Sequence, residues 1–70
     1  MANRTYVLSD FVGTSTVSSD EAIRNAVARA CQSVEHIDWF EVTQIRGYVR
    51  AGAVDHFQVA LRIGARLSDV

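Results

Sequence analysis

The sequence predicts an α+β chain of order β-α-β-β, a three-stranded antiparallel sheet wrapped around one helix. Three observations predict it: an aromatic and branched run near the start, a capped apolar stripe at helical spacing, and two strand-like runs flanking a short glycine-containing gap. The first strand is expected from Thr5 to Val12, where Tyr6, Val7, Leu8, Phe11 and Val12 favour extended backbone, with Gly13-Thr14-Ser15-Thr16 breaking it. Ser18 and Glu21 then stand at capping-box spacing ahead of Ile23, Ala26, Val27, Ala30 and Val34, so a helix is expected over about 19–35. Its outer side carries Arg24, Asn25, Arg29 and Gln32. The remaining strands are expected from Trp39 to Val49 and from Val54 to Leu67, joined by a tight turn at Ala51-Gly52. In the last run Phe57, Val59, Leu61 and Ile63 alternate with His56, Gln58, Ala60, Arg62 and Gly64, which assigns the apolar set to the helix side.

The 70 residues read as one domain, 1–70, without repeat, linker or proline. So short a chain buries only ~60% of its unfolded surface. Disulfides are excluded because Cys31 is the only cysteine, and His36 and His56 lie far apart with no ligand cluster, so no metal site is expected. Self-association is the remaining route to stability, and an apolar content of 49% agrees with it. Seven arginines and no lysine against eight acidic residues leave a net charge of -1, which argues against a nucleic-acid surface. Arginine in place of lysine suits interfaces and phosphate groups. No stretch has the length and apolarity of a membrane span or the pattern of a signal peptide, and a cytoplasmic location is expected by default.

A two-residue turn at Ala51-Gly52 pairs Phe40 with Ile63 and Val42 with Leu61 on the helix side. On the opposite face it pairs Glu41 with Arg62, Thr43 with Ala60, Ile45 with Gln58, and Trp39 with Gly64. An indole opposite a residue without a side chain keeps a flat surface free, and Gln58 on the same face offers a planar donor and acceptor. That combination suits a flat heteroaromatic ligand. Core or interface packing of the tryptophan, and a simple cross-strand ion pair for Glu41 and Arg62, are the plainer alternatives.

The segment Asp38-Trp39-Phe40-Glu41-Val42, followed by Ile45-Arg46-Gly47 and His56-Phe57-Gln58-Val59, resembles the dodecins. The Val12-Gly13-Thr14-Ser15 turn and the helical Ala22-Ile23 with Ala26-Val27-Ala28-Arg29-Ala30 extend the resemblance over nearly the whole chain. It implies a β-α-β-β fold, a hollow homododecamer, and flavins stacked in pairs between symmetry-related tryptophans. On this chain Trp39 would be the stacking residue and Gln58 the amide reading the isoalloxazine edge. The resemblance further implies FMN, or riboflavin, as the ligand, with coenzyme A as a second guest. Arg46 and Arg66 are then candidates for the flavin and its phosphate, and Asp38 for the ribityl hydroxyls or for capping the strand start. Arg4, Tyr6 and Arg29 are the candidates for coenzyme A. In the turn-derived register Arg46 faces Phe57 on the helix side, and Arg66 lies ~26 Å from Gln58 along the strand, so one chain could not serve one flavin with both. Ala65, Tyr48 and Ser19 depart from the family pattern, which bears on packing and on the second ligand.

The expected role is sequestration of flavin rather than catalysis, for storage and for protection against flavin photochemistry. Cys31 reads as a small buried hydrophobe and not a nucleophile, and no carboxylate pair or nucleophile with its base can be placed. The alternative is a flavin-free oligomeric module that binds coenzyme A or another nucleotide through Arg4, Arg29 and Arg66.

Overall fold

A computed structural model describes residues 3–67, along which β1 (Tyr6–Ser15), α1 (Ser19–Ser33), β2 (Ile37–Arg50) and β3 (Ala53–Arg66) succeed one another. The sheet is antiparallel, in the order β1-β3-β2, so β3 is central and both its neighbours are edges. The expected β-α-β-β order and fold class hold.

The first strand does not break at Gly13 but runs on to Ser15, pairing Gly13 with Val59 and Ser15 with Phe57. Gly13 is there because the helix crosses the strand so closely that a methyl group would overlap the Ala22 carbonyl oxygen and the Ala26 side chain. The buried Ser15 hydroxyl turns the chain into α1: it accepts from the amides of Val17 (2.9 Å) and Ser18 (3.3 Å) and donates to the Glu21 carboxylate at 2.6 Å. Ser18 caps the helix as expected, accepting from the Glu21 amide at 3.0 Å. The glutamate's return bond goes to Ser15 instead of the Ser18 backbone, so only half of the capping box forms. The helix stops at Ser33, with Val34 extended behind it and His36 at a positive φ of 62° swinging the chain into β2.

The helix buries small residues. Ala22, Ala26 and Ala30 lie against Val59, Leu61 and Ile63, with Phe11, Ile23, Val27 and Ile37 packed around them. Alanine lets the helix axis approach the sheet, and the resulting footprint covers β1 and β3 rather than β2. Phe40 and Val42 pair with Ile63 and Leu61 as expected, but they are not core: they face the helix side beyond the helix, and Phe40 stays 46% exposed. Cys31 is also exposed, against the expectation of burial.

The hairpin register is right at both ends and shifted in the middle. Ala51 and Gly52 both take positive φ, 52° and 79°, which is the backbone of a type I′ turn. Asp55 then bulges out of β3, because Val49 faces Val54 while Tyr48 faces His56. Thr43 bulges out of β2 between Val42 and Gln44, and its hydroxyl donates to the Ala60 carbonyl at 3.1 Å. Extra residues on opposite strands cancel, so Trp39 meets Gly64 and Glu41 meets Arg62, while the rungs between the bulges differ from expectation. Thr43 has no partner residue, Ile45 pairs with Val59 on the helix side, and Arg46 pairs with Gln58 on the outer face rather than with Phe57.

A chain of this length folded as a compact globule has a radius of gyration of ~11 Å. The observed value is 14.6 Å, with extents of 54 × 20 × 15 Å, so the chain is far too extended to bury its own apolar surface.

Candidate functional site

On the face away from the helix, the side chains of β3 from His56 to Arg66 form a floor flanked by alternate residues of β1 and β2. Gly64 leaves a gap in that floor. The Trp39 indole fills it, lying so close over the glycine that a methyl there would overlap ring atoms Cδ2, Cε2 and Cζ2. One indole surface is thereby seated on β3, and the residue retains 38% exposure. Leu8 pairs with Gly64 from the other side and is also exposed, so the indole has an apolar neighbour across the gap. Tyr6 adds a second ring, its centroid 5.9 Å from that of Trp39 and tilted by 51°. The Tyr6 hydroxyl donates to Asp38 Oδ2 at 2.9 Å, and the Arg4 guanidinium stands 3.8 Å from the same oxygen. Arg66 pairs with Tyr6 and completes this end of the face.

The other end is polar. Arg46 and Gln58 share a rung, with Thr14 on the far side of Gln58, and the Arg46 guanidinium donates to the Gln44 side chain. One rung further on, Tyr48 and His56 stack with centroids 4.5 Å apart and planes within 11° of parallel. His56 Nδ1 meets Asp55 at 2.7 Å, and Arg50 approaches the same carboxylate at 3.7 Å. A cleft lined by Thr14, Ser15, Thr16, Glu21, Asn25 and His56 opens beside this end, where β1 gives way to the helix.

The candidate residues therefore fall into two groups. Asp38, Trp39 and Arg66 gather at one end with Arg4 and Tyr6, and Arg46 and Gln58 gather at the other. Gly64 and Gln58 are six residues apart on β3, which is ~20 Å at the rise of a strand, more than one tricyclic ring can span. The amide is on the same face as the indole but not beside it. Arg29 joins neither group: it lies exposed on the helix, bonded to Gln32 at 3.3 Å. Arg62 turns to Asp10 at 3.2 Å and not to Glu41. The gathering of Tyr6 on Trp39 and of Arg46 on Gln58 escaped the sequence, the first because β1 and β2 are not adjacent strands, the second because it depends on the bulges. Among the described residues no cluster of metal-binding side chains occurs, and no helix is long and apolar enough to cross a membrane.

Fold and face together define a class: a small α+β protomer with an aromatic plate on an open sheet face, incomplete as a single chain and built to associate. The sequence profile of the family described as Dodecin matches residues 5–68. A dodecin of Thermus thermophilus is 41% identical over 66 residues, covering 94% of this chain and 96% of that one. The structure of the dodecin from Streptomyces coelicolor superposes with a TM-score of 0.91 at 50% identity over the whole of both chains. That of Streptomyces davaonensis gives 0.92 at 44% identity, covering 97% of this chain and all of the other. The chain belongs to the dodecin family, and the broad role of that family, flavin binding by an assembly of copies, comes with membership.

Proposed function

We propose that this protein sequesters flavin, FMN foremost and riboflavin by the same contacts, in a hollow homododecamer where Trp39 side chains of symmetry-related copies enclose stacked flavins. The observation that carries the reading is the Trp39 indole seated on Gly64 on the helix-free face. Such a plate offers a flat ligand ~1 kcal/mol per aromatic contact beyond simple area burial. The ~20 Å between Trp39 and Gln58 within one chain supports a pocket shared between copies, with Gln58 and Arg46 supplied by a different subunit from the plate. Arg46 and Gln58 on one rung place a cation beside an amide, which suits a ligand with an imide edge and a phosphate. Arg66, at the indole end of the same face, is the candidate for the polar chain of the same ligand, whereas the Asp38 carboxylate is taken up by Tyr6 and Arg4. The T. thermophilus dodecin has been solved with one tryptophan changed to phenylalanine and with either of two arginines changed to alanine, and those positions, shifted by one residue, fall on Trp39, Arg46 and Arg66. This supports the choice of residues.

An indole in contact with a photoexcited flavin donates an electron and quenches it, so storage and photoprotection follow from one geometry, without turnover of a substrate. A flavin-free module for coenzyme A finds less support, because Arg4 and Tyr6 are engaged by Asp38 and Arg29 stands on the other side of the sheet. Trp39→Ala is expected to weaken FMN binding at least ~10-fold, about 1.4 kcal/mol, and to restore flavin fluorescence in a titration. Unchanged affinity would sink the reading.

A further inference from the structure

The geometry points to Tyr6 as the positioning residue of the Trp39 plate, anchored for that task by Asp38. This rests on the reading of Trp39 as the flavin-stacking surface. Tyr6 and Trp39 belong to the two outer strands, and they meet only because Gly64, on the strand between them, has no side chain to keep them apart. Their centroid separation of 5.9 Å and tilt of 51° lie in the range that aromatic pairs prefer. A tyrosine ring on an edge strand is ordinarily free to swing, but this one is held at both ends, by its backbone in β1 and by its hydroxyl on Asp38 Oδ2 at 2.9 Å. The Arg4 guanidinium stands 3.8 Å from the same oxygen and helps hold the carboxylate in place.

Asp38 is itself displaced into a bulge, since Ile37 pairs with Ala65 and Trp39 with Gly64. The bulge turns its carboxylate across β3 toward β1, and the next residue is the plate. Anchor and plate are thus one peptide unit apart, and the phenol closes the circuit between them. Gly64 blocks the indole from below and Tyr6 from its flank, which leaves the outward surface for a ligand. An indole fixed before the ligand arrives loses no rotamer freedom on binding, so the stacking energy is retained as affinity. Arg4 and Tyr6 accordingly serve the flavin plate, not a second nucleotide.

Trp39 is the only tryptophan, so indole emission reports on the plate alone. The test is time-resolved indole anisotropy of the flavin-free assembly, together with FMN titration, for Tyr6→Leu, Tyr6→Phe, Asp38→Ala and Asp38→Asn, each first checked for unchanged native mass. Tyr6→Leu is expected to speed local indole motion and weaken FMN about tenfold, with Tyr6→Phe intermediate. Asp38→Ala should match Tyr6→Phe, whereas Asp38→Asn, which keeps an acceptor oxygen, should stay close to the unaltered protein. Indole motion unchanged in Tyr6→Leu overturns the proposal, as does an Asp38→Asn variant no better than Asp38→Ala. If Tyr6→Leu fails to assemble, Tyr6→Phe and the Asp38 pair decide the matter by the same readouts. Should the unaltered protein take up no FMN, the functional reading fails, and the anisotropy series still decides whether Tyr6 positions the indole.

Discussion

Each flank of β3 is hydrogen-bonded to an antiparallel strand, β1 on one side and β2 on the other, yet the two have opposite fates. Toward β1, the helix presses Ala22, Ala26 and Ala30 onto the sheet and leaves Val59, Leu61 and Ile63 with 0–1% exposure. Toward β2, nothing among the described residues covers the helix side, and Phe40, Val42 and Ile45 are exposed, Ile45 to 58%. Strand pairing alone does not make a core; a second layer does. The first flank is what one chain stabilises by itself, and the second is apolar surface that still lacks a second layer.

Leu61→Ala should break the first flank with the largest effect. A fully buried leucine costs about 3 kcal/mol to truncate, comparable to the whole stability of so small a core. Thermal unfolding by circular dichroism should fall steeply at every protein concentration, and a shift that vanishes on dilution would assign the stability to the assembly instead. Ile45→Asp attacks the second flank: covering a carboxylate there costs at least ~2 kcal/mol per copy. Sedimentation should then show smaller particles, and an assembly of unaltered mass would mean that this flank faces solvent.

The outer face gives a subtler contrast. Gly64→Ala places a methyl where the indole now lies, but the obstacle it meets is a side chain and not backbone, so the sheet should fold while the plate is displaced. FMN affinity is expected to drop about tenfold, or ~1.4 kcal/mol, with native mass retained. Ser18→Ala is the smallest perturbation, removing one helix cap for about 1 kcal/mol. It should lower the melting temperature by a few degrees and leave flavin affinity untouched, since the helix lies behind the sheet from the plate.

Much of this architecture was readable from residue order because short-range physics imposes it. Alternation along β3 assigned its two faces, Ser18 marked the helix start, and the Ala51-Gly52 turn led to the Trp39–Gly64 pair that makes the plate. That pair holds because two bulges on opposite strands lie between it and the turn. The bulges at Asp55 and Thr43 cancel by the time the strands reach Trp39, and only the rungs between them, Arg46 with Gln58 among these, were misplaced. A bulge leaves no local signature in composition. It reflects what the ladder gains elsewhere, here a threonine hydroxyl standing in as donor to the Ala60 carbonyl.

What the sequence by itself determined is the order of elements, the apolar face of β3, the insufficiency of one chain and the exposed tryptophan opposite a glycine. Those follow from periodicity, capping and surface-to-volume scaling, which act between near neighbours or on the chain as a whole. Only the tertiary structure decided where the helix lies, why Gly13 continues a strand, which flank is bare, and that Tyr6 and Asp38 close on the indole from separate strands. Each of these depends on distances between segments far apart in the chain, set by how closely small residues let the layers approach.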